Sequence, residues 1–572
     1  MIFVKELKIK NFKSIEEQTI TFNKGLNVLV GPNNAGKTNI IEAIDLLLGD
    51  VYLPNFEATT DHFFNGDENR EISIEVILEG EIEELQDILP EANQQIEVRF
   101  RYSKNDGGSF EVKSNNTWSR KYNKPFGYYW DFDKKLFFLR VKSLRNLMEI
   151  SPIRWKSPLK YFKEIIIKKA PREQLDQVLE GINNSKDKLS EISEVKNLIS
   201  DLLKISKDQT DVKNIYLSPS STSYSDILNE MKIIIDDGYV SEVTKKGLGT
   251  QNLTIISLFR VMAKYIRDDE KKSVIYGIDE PEIGLHPHAQ RHLLKSLEKL
   301  ADYSQVLITT HSNNLVDIYK IENVIRVDRS NGKTVTYRTE LSEQQKKVLE
   351  IHGDNIEELF FCKRALIVEG KTETGFFAEA SKKIIENVSQ EGLNNDRHYS
   401  FDINSVSVIN GQGDTIWHFV KLIKALHIPF ILLIDSDKLS IGLEKCKDLG
   451  MITQENYDHL IAISDDTTRR SELKLLNIWV CDIFETAICV DAEEATLWKI
   501  IESINFVKKN WGHTNGIQDF SSITDINNLR ESVIGYMSAN KRRRIGHAIA
   551  HSLDFNEYPK DYIGVIEAIV NL

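Results

Sequence analysis

Ala365-Leu366-Ile367-Val368-Glu369-Gly370-Lys371-Thr372-Glu373 is a short apolar run that stops abruptly at acids, and Leu432-Leu433-Ile434-Asp435-Ser436-Asp437 repeats the pattern downstream. Continuous apolar runs of this length read as strands buried on both faces of a parallel sheet. In open α/β sheets, ligands sit at the C-terminal strand edges. The two stretches therefore bring Glu369, Glu373, Asp435 and Asp437 toward one place. Carboxylates that converge without cationic partners repel one another, and hard cations with a preference for oxygen relieve that repulsion. The four acids are candidate ligands for Mg²⁺ or a similar ion.

Far upstream, Leu26-Asn27-Val28-Leu29-Val30 runs into Gly31-Pro32-Asn33-Asn34-Ala35-Gly36-Lys37-Thr38. This is G-x-x-x-x-G-K-[ST] between an apolar strand and an apolar helix (Ile40, Ile41, Ala43, Ile44, Leu46, Leu47, Leu48), the context that gives the motif its meaning. Loop amides and the helix N-terminus cradle phosphates, Lys37 reaches the β and γ oxygens, and the Thr38 hydroxyl ligates Mg²⁺. Asn33, Asn34, Gly36, Lys37, Thr38 and Asn39 are the candidate ATP ligands. A second strand, Lys272 to Asp279, ends in Asp279-Glu280-Pro281-Glu282, where Asp279 is expected to hold the magnesium shell and Glu280 to polarise the attacking water. A third, Gln305 to Thr310, ends in His311, placed to meet the γ-phosphate.

With 572 residues and 41% hydrophobic content the chain has room for two or three cored domains. Cys362, Cys446, Cys481 and Cys489 form no C-x-x-C pair, which argues against a zinc knuckle or a disulfide framework and suits a reducing compartment. No apolar run approaches the roughly 20 residues of a membrane span. Met1-Ile2-Phe3-Val4-Lys5-Glu6 enters a strand pattern without a signal peptide, so a cytoplasmic protein with no membrane partner is expected. A net charge of −13 does not advertise nucleic acid, but Lys541-Arg542-Arg543-Arg544 can lay a basic strip on an acidic body.

Residues 151 to 245 differ in character. Pro171 to Leu189 and Ile192 to Ile205 carry helical spacing of Leu, Ile and Val among many charges, the pattern of an inserted helical layer, either a dimerisation or arm element or a solvated insertion. Ser218-Pro219-Ser220-Ser221-Thr222-Ser223 is a polar linker. A strand-like stretch from Asn323 to Tyr337 and a helical segment from Ser342 to Phe361 then lead to the acids of Glu369. The expected division is 1–150 and 241–345 for two halves of one ATPase, 151–240 for the insertion, and 346–572 for the acidic domain.

Lys246-Gly247-Leu248-Gly249-Thr250-Gln251, then Asp279 to Pro287, then Thr310-His311-Ser312 resemble the signature, Walker B, D-loop and H-loop of ABC-type ATPases of the SMC and RecF kind. The resemblance implies ATP sandwiched between paired heads, with Gly249 and Gln251 facing the partner's γ-phosphate. Long heptads are missing, so no extended coiled coil is expected. The E-G-x-x-E and D-x-D pair resembles a Toprim domain. An ABC ATPase followed by Toprim resembles the OLD (overcoming lysogenisation defect) family, DNA nucleases often found in phage defence, and the likeness spans nearly the whole chain.

The expected fold class is thus α/β: an ABC-type P-loop ATPase head with an inserted helical element, followed by a Toprim domain with a parallel sheet. The resemblance implies Glu369 as general acid or base, Asp435 and Asp437 as metal ligands, and Glu373 as an additional acid. It also implies a ligand from Glu485, or from Asp482 in a shifted register, and a basic group, Lys541 or Arg544, facing two Mg²⁺ or Mn²⁺ ions. Double-stranded DNA, a second copy of the chain and a second defence-system protein are the implied partners. Two rivals stand beside this reading. One is a RecF-like DNA-binding ATPase without cleavage. The other is a topoisomerase or primase, which commonly needs a nucleophilic tyrosine on a cooperating domain or a zinc module.

Overall fold

The computed structural model describes residues 1–49, 56–90, 92–114, 117–121, 135–141, 171, 173, 192–208, 211–218, 232–343, 345–347, 356–386, 399–411, 413–511 and 517–572. They form two units, Met1–Thr336 and Tyr337–Leu572.

In the first unit, β1 (Phe3–Phe12), β2 (Ile15–Thr21), β4 (Ile72–Glu79), β5 (Gln95–Ser103), β6 (Gly107–Ser114) and β7 (Thr117–Lys121) make an antiparallel sheet of order β2-β1-β4-β5-β6-β7. Alternation sets its buried face: Ile72, Ile74, Val76 and Leu78 of β4 are buried and the residues between them only partly so. A second sheet has the order β15-β14-β3-β13-β12-β8, built from β3 (Leu26–Val30), β8 (Leu136–Val141), β12 (Ser273–Asp279), β13 (Gln305–Thr309), β14 (Val324–Ser330) and β15 (Lys333–Arg338). From β14 to β8 its neighbours pair in parallel. Every residue of β3, β12 and β13 is buried, as expected of strands covered on both faces.

Helix α1 (Lys37–Leu48) buries eight of its twelve residues and shares one hydrophobic core with both sheets. Thr38, Asn39, Glu42 and Asp45 form its partly exposed face, and burial of the apolar remainder fixes where its N-terminus points. The described part of the stretch expected as a helical layer holds one helix, Ser193–Lys207. It also holds an antiparallel sheet of β9 (Asn214–Ser218), β10 (Lys232–Asp236) and β11 (Val240–Glu242), in the order β11-β10-β9. The helical expectation is corrected there: Asn214–Ser218 and Lys232–Asp236 pair as strands, and their β-branched Ile215, Ile233 and Ile235 are buried. Pro171 to Leu189, apart from residues 171 and 173, and residues 219–223 lie outside the described residues. Of the helical segment expected from Ser342 to Phe361, residues 342, 343, 345–347 and 356–361 are described, the last including a 3₁₀ turn at Ile356–Phe360.

The second unit carries a parallel sheet of order β17-β16-β18-β19, from β16 (Arg364–Val368), β17 (Val406–Asn410), β18 (Phe430–Asp435) and β19 (Ile478–Cys481). Helix α2 (Lys371–Glu386) leaves β16 after two residues, and α3 (Phe484–Cys489) leaves β19 after two. Three later helices, α4 (Glu494–Trp511), α5 (Ile526–Ser538) and α6 (Arg543–Ser552), share a core with the sheet and with α7 (Lys560–Asn571).

Helices α2 and α6 cross at two glycines. A Cβ on Gly375 would overlap the Arg543 carbonyl, and one on Gly546 would overlap the Thr372 carbonyl. Only side-chain-free positions permit this approach. Gly535 of α5, by contrast, has open space around its missing Cβ. Gly546→Ala is expected to lower stability by about 1–3 kcal/mol through overpacking. Gly535→Ala should raise it by about 0.5–1 kcal/mol through helix propensity. Thermal unfolding of the two variants checks this, and equal midpoints would remove the close crossing.

Candidate active site and nucleotide site

In the second unit the strand register aligns the C-terminal ends: Val368 pairs with Asn410, and Asp435 with Cys481. Glu369 follows β16, Asp435 ends β18, and Glu373 and Glu485 lie in the first turns of α2 and α3. Glu373, Asp435 and Glu485 are buried. Their floor is aromatic: Phe376 meets Phe484 at 5.2 Å and Tyr562 at 5.9 Å between ring centres, and Phe484 meets Tyr562 at 5.7 Å. Phe376 lies three residues beyond Glu373 and Phe484 directly precedes Glu485, so the rings pin both acid-bearing turns.

An apolar floor denies the carboxylates water. Burial, then repulsion from Asp435 and Glu485, pushes Glu373 up to about 7. Burial, then repulsion from Asp437 and Glu485, pushes Asp435 up to about 6, against the pull of Lys541. Two ammonium groups ease the crowding. Lys438 pairs with Glu369, and Lys541 Nζ lies 3.3 Å from Glu485 Oε1. Glu485 Oε2 is buried with no hydrogen-bond partner.

The acids thus share one neighbourhood. Raised pKa values and the two lysines also relieve the repulsion, and among the described residues no three His, Cys, Asp or Glu side chains are drawn into a ready metal cage. The donor set still fits a hard divalent cation, because it offers carboxylate oxygens and one of them is buried without a partner. Asp437 is exposed. Asp482 turns away to Arg470 at 3.2 Å, which leaves Glu485 as the acid that β19 delivers. Of the two basic candidates Lys541 sits beside the acids, whereas the Arg544 guanidinium lies 5.4 Å from the centre of the Trp511 ring.

In the first unit the phosphate loop closes between β3 and α1. Gly36 has φ +105°, a conformation that favours glycine. Lys37 is buried and its Nζ donates to the carbonyl oxygens of Gly31 and Pro32, both at 2.9 Å. Burial lowers it to about 8, while Glu280 and Glu282 act in the opposite sense. Thr38, Asn33 and Asn34 are exposed at the loop, and Asn39 Nδ2 donates to Ser14 Oγ at 2.8 Å. Asp279 is held by Thr309 Oγ1 at 3.1 Å and Arg140 Nη2 at 3.2 Å. Glu280 stands 3.6 Å from His311 Nε2, with its backbone in the left-handed region at φ 46°. Gly249 lies at the start of the helix Leu248–Asp268. Gln251, expected to face a partner's γ-phosphate, is instead buried, and its Nε2 donates to the Lys246 and Thr244 carbonyls of its own loop.

Three residues carry structure that motif reading passed over. Arg140 at the end of β8 gathers Asp279, Glu42 and Asp45, and no motif flags it. Glu282 is buried and accepts from Thr310 Oγ1 at 2.7 Å and the His311 amide at 2.8 Å, which fixes the histidine turn. Lys438 follows Asp437 directly, and only its position beside the D-x-D pair could have singled it out.

Both raised acids have folded-state values above their ordinary ones, so their contribution to stability is complete below about pH 4 and is lost as pH climbs through about 6 and then about 7. With a chelator present, Glu373→Gln should raise the unfolding midpoint at about pH 8 and change it little at about pH 5. Equal shifts at both pH values would refute the burial of an ionisable Glu373.

Comparison with known proteins agrees with these two units. Residues 360–437 match the family described as overcoming lysogenization defect protein-like, TOPRIM domain. Residues 139–316 match an AAA ATPase domain and residues 6–216 an AAA domain. The chain is 23% identical over 509 residues to the Old nuclease of Escherichia phage P2, covering 82% of this chain and 83% of that protein. It is 26% identical over 475 residues to the OLD nuclease of Thermus scotoductus, covering 76% and 82%. It is 24% identical over 513 residues to endonuclease GajA of Bacillus cereus, covering 84% of each. The chain therefore joins an AAA/ABC-type P-loop ATPase to a Toprim domain of the overcoming-lysogenization-defect kind, and along about four-fifths of its length it is similar to proteins named OLD nuclease.

Proposed function

We propose that this chain is an ATP-regulated, divalent-metal-dependent DNA endonuclease that acts in the cytoplasm against phage. The observation that carries the reading is the burial of Glu373, Asp435 and Glu485 on one sheet edge, with Lys541 beside them. The names of the relatives support it, and so does an arrangement of acids that has no need of a tyrosine nucleophile.

Two Mg²⁺ or Mn²⁺ ions, when bound, supply an acidified water and offset the charge on a cleaved phosphodiester. The chain's part is to hold them with Glu373, Asp435, Asp437 and Glu485 and to set double-stranded DNA against them. Glu369 moves a proton at Oε1 once Lys438 releases that oxygen. Lys541 gives up Glu485 and faces the phosphate. In the ATPase, Lys37 leaves the loop carbonyls for the β and γ oxygens, and Thr38 and Asp279 serve the magnesium. Glu280 orients water, with His311 against the γ-phosphate. Gly249, and Gln251 after leaving its own loop, meet the nucleotide of a second head, so the working particle contains at least two copies. A second defence-system protein is a further proposed partner. The division of labour is 1–150 and 241–345 for the head, 151–240 for the dimerisation or arm element, and 346–572 for the nuclease.

Plasmid incubated with Mg²⁺ or Mn²⁺ should be nicked or cut by the intact chain, and the pair Glu373→Gln with Asp435→Asn should slow cutting at least about 10³-fold while ATP hydrolysis persists. Lys37→Ala should abolish ATP hydrolysis and alter the ATP response of cutting, leaving metal-dependent cleavage without nucleotide intact. Undiminished cutting by the acid pair sinks the proposal. DNA binding with no cleavage in either metal would favour instead a RecF- or SMC-like DNA-binding ATPase, a reading that gains from the lysines already paired with Glu369 and Glu485.

A further inference from the structure

Beside the acids, on the other side of α2, lies a groove of about 940 Å³. Its floor is the α2–α6 crossing, where Gly375 and Ala378 leave room, and its walls come from α4 and α6. At one end two aromatic rings stand out of the core: Phe506 is 56% exposed and Trp511 55%. Their centres are 5.7 Å apart, edge to face, and Arg544 covers part of Trp511. Arg543 and Lys382 also line the groove, as does His547, which is paired with Glu379 at 3.1 Å. Glu502 is the only carboxylate among its described lining residues, and Glu379 and Asp402 stand 3.9 and 3.8 Å from Lys382 Nζ.

Rings and cations interleaved in this way are unusual on a chain of net charge −13. Large exposed aromatics lose free energy in water, and an apolar partner alone would not account for the arginines and lysine around them. A ligand that carries flat apolar rings along an anionic backbone satisfies both. Duplex DNA offers the phosphates but keeps its ring faces stacked inside, whereas an unpaired strand offers both.

We infer that this groove binds unpaired nucleotides of DNA, with a base stacked at Phe506 and Trp511 and phosphates held by Arg543, Arg544 and Lys382. This rests on the nuclease reading for its choice of DNA and deepens it. Gly375 is two residues beyond Glu373, and Arg543 two beyond Lys541, so the groove and the acids share the N-terminal turn of α2 and the basic loop before α6. A strand lying at the acids reaches the groove by crossing that loop. The preferred substrate is then DNA with a frayed, nicked or single-stranded stretch beside the cleaved bond.

The test uses the full chain, a chelator to stop cutting, and a fluorescent oligothymidylate beside a blunt duplex of the same length. Phe506→Ala with Trp511→Ala should weaken oligothymidylate binding about 10- to 100-fold, the range expected for loss of one or two stacked bases, and duplex binding less than about 3-fold. Trp511→Phe should recover most of the loss, which separates stacking from misfolding. Unchanged oligothymidylate affinity, an equal loss for both DNAs, or a loss that Trp511→Phe does not recover overturns the inference. Cleavage of blunt plasmid in Mg²⁺, measured in parallel, separates the two claims. An aromatic-dependent single-strand affinity in a chain that cuts nothing sustains the groove and ends the nuclease. Cutting that survives with no such affinity does the reverse.

Discussion

Three carboxylates are held under cover at the end of a parallel sheet, and the second unit is built to keep them there. Glu373, Asp435 and Glu485 arrive on separate elements, and each is buried. Ionised acids so placed are costly, because burial and mutual repulsion act in the same direction. The rings beneath hold the acids in place and add to that cost, and the lysines beside them offset part of it. Phe376, Phe484 and Tyr562 lock the two helical turns, while helix N-termini supply positive partial charge to Glu373 and Glu485. A site arranged this way is primed for a small, hard, doubly charged ion that can replace both the protons and the ammonium groups.

The first unit shows the same economy with the opposite charge. Lys37 is buried against two carbonyls and loses basicity, and Arg140 occupies the company of Asp279, Glu42 and Asp45. Both groups are held by internal partners. Glu282 does not compete for the ligand. It anchors the amide of His311, so the histidine turn keeps its position whichever partners Lys37 and Asp279 have.

Much of this was legible in the sequence because the decisive strands are apolar from end to end and stop at charged residues. The run before Gly31, the run before Asp279 and the runs before Glu369 and Asp435 all became buried strands with the chemistry at their C-terminal edges. What escaped reading depends on partners distant in the chain. Arg140 meets Asp279 across 139 positions and Lys438 meets Glu369 across 69, and no local pattern announces either pairing. The strands between Asn214 and Glu242 were hidden because short β segments beside a charged helix carry little periodicity of their own. The motif around Gln251 gave no sign that its side chain bonds to its own loop in the lone chain.

The crossing of α2 and α6 has one more consequence. With Gly375 and Gly546 allowing the two backbones to touch, the helix that carries Glu373 is packed directly on the helix that follows Lys541. A side chain added at either glycine therefore reaches past the packing, to Glu373 and to the lysine whose charge acts on it.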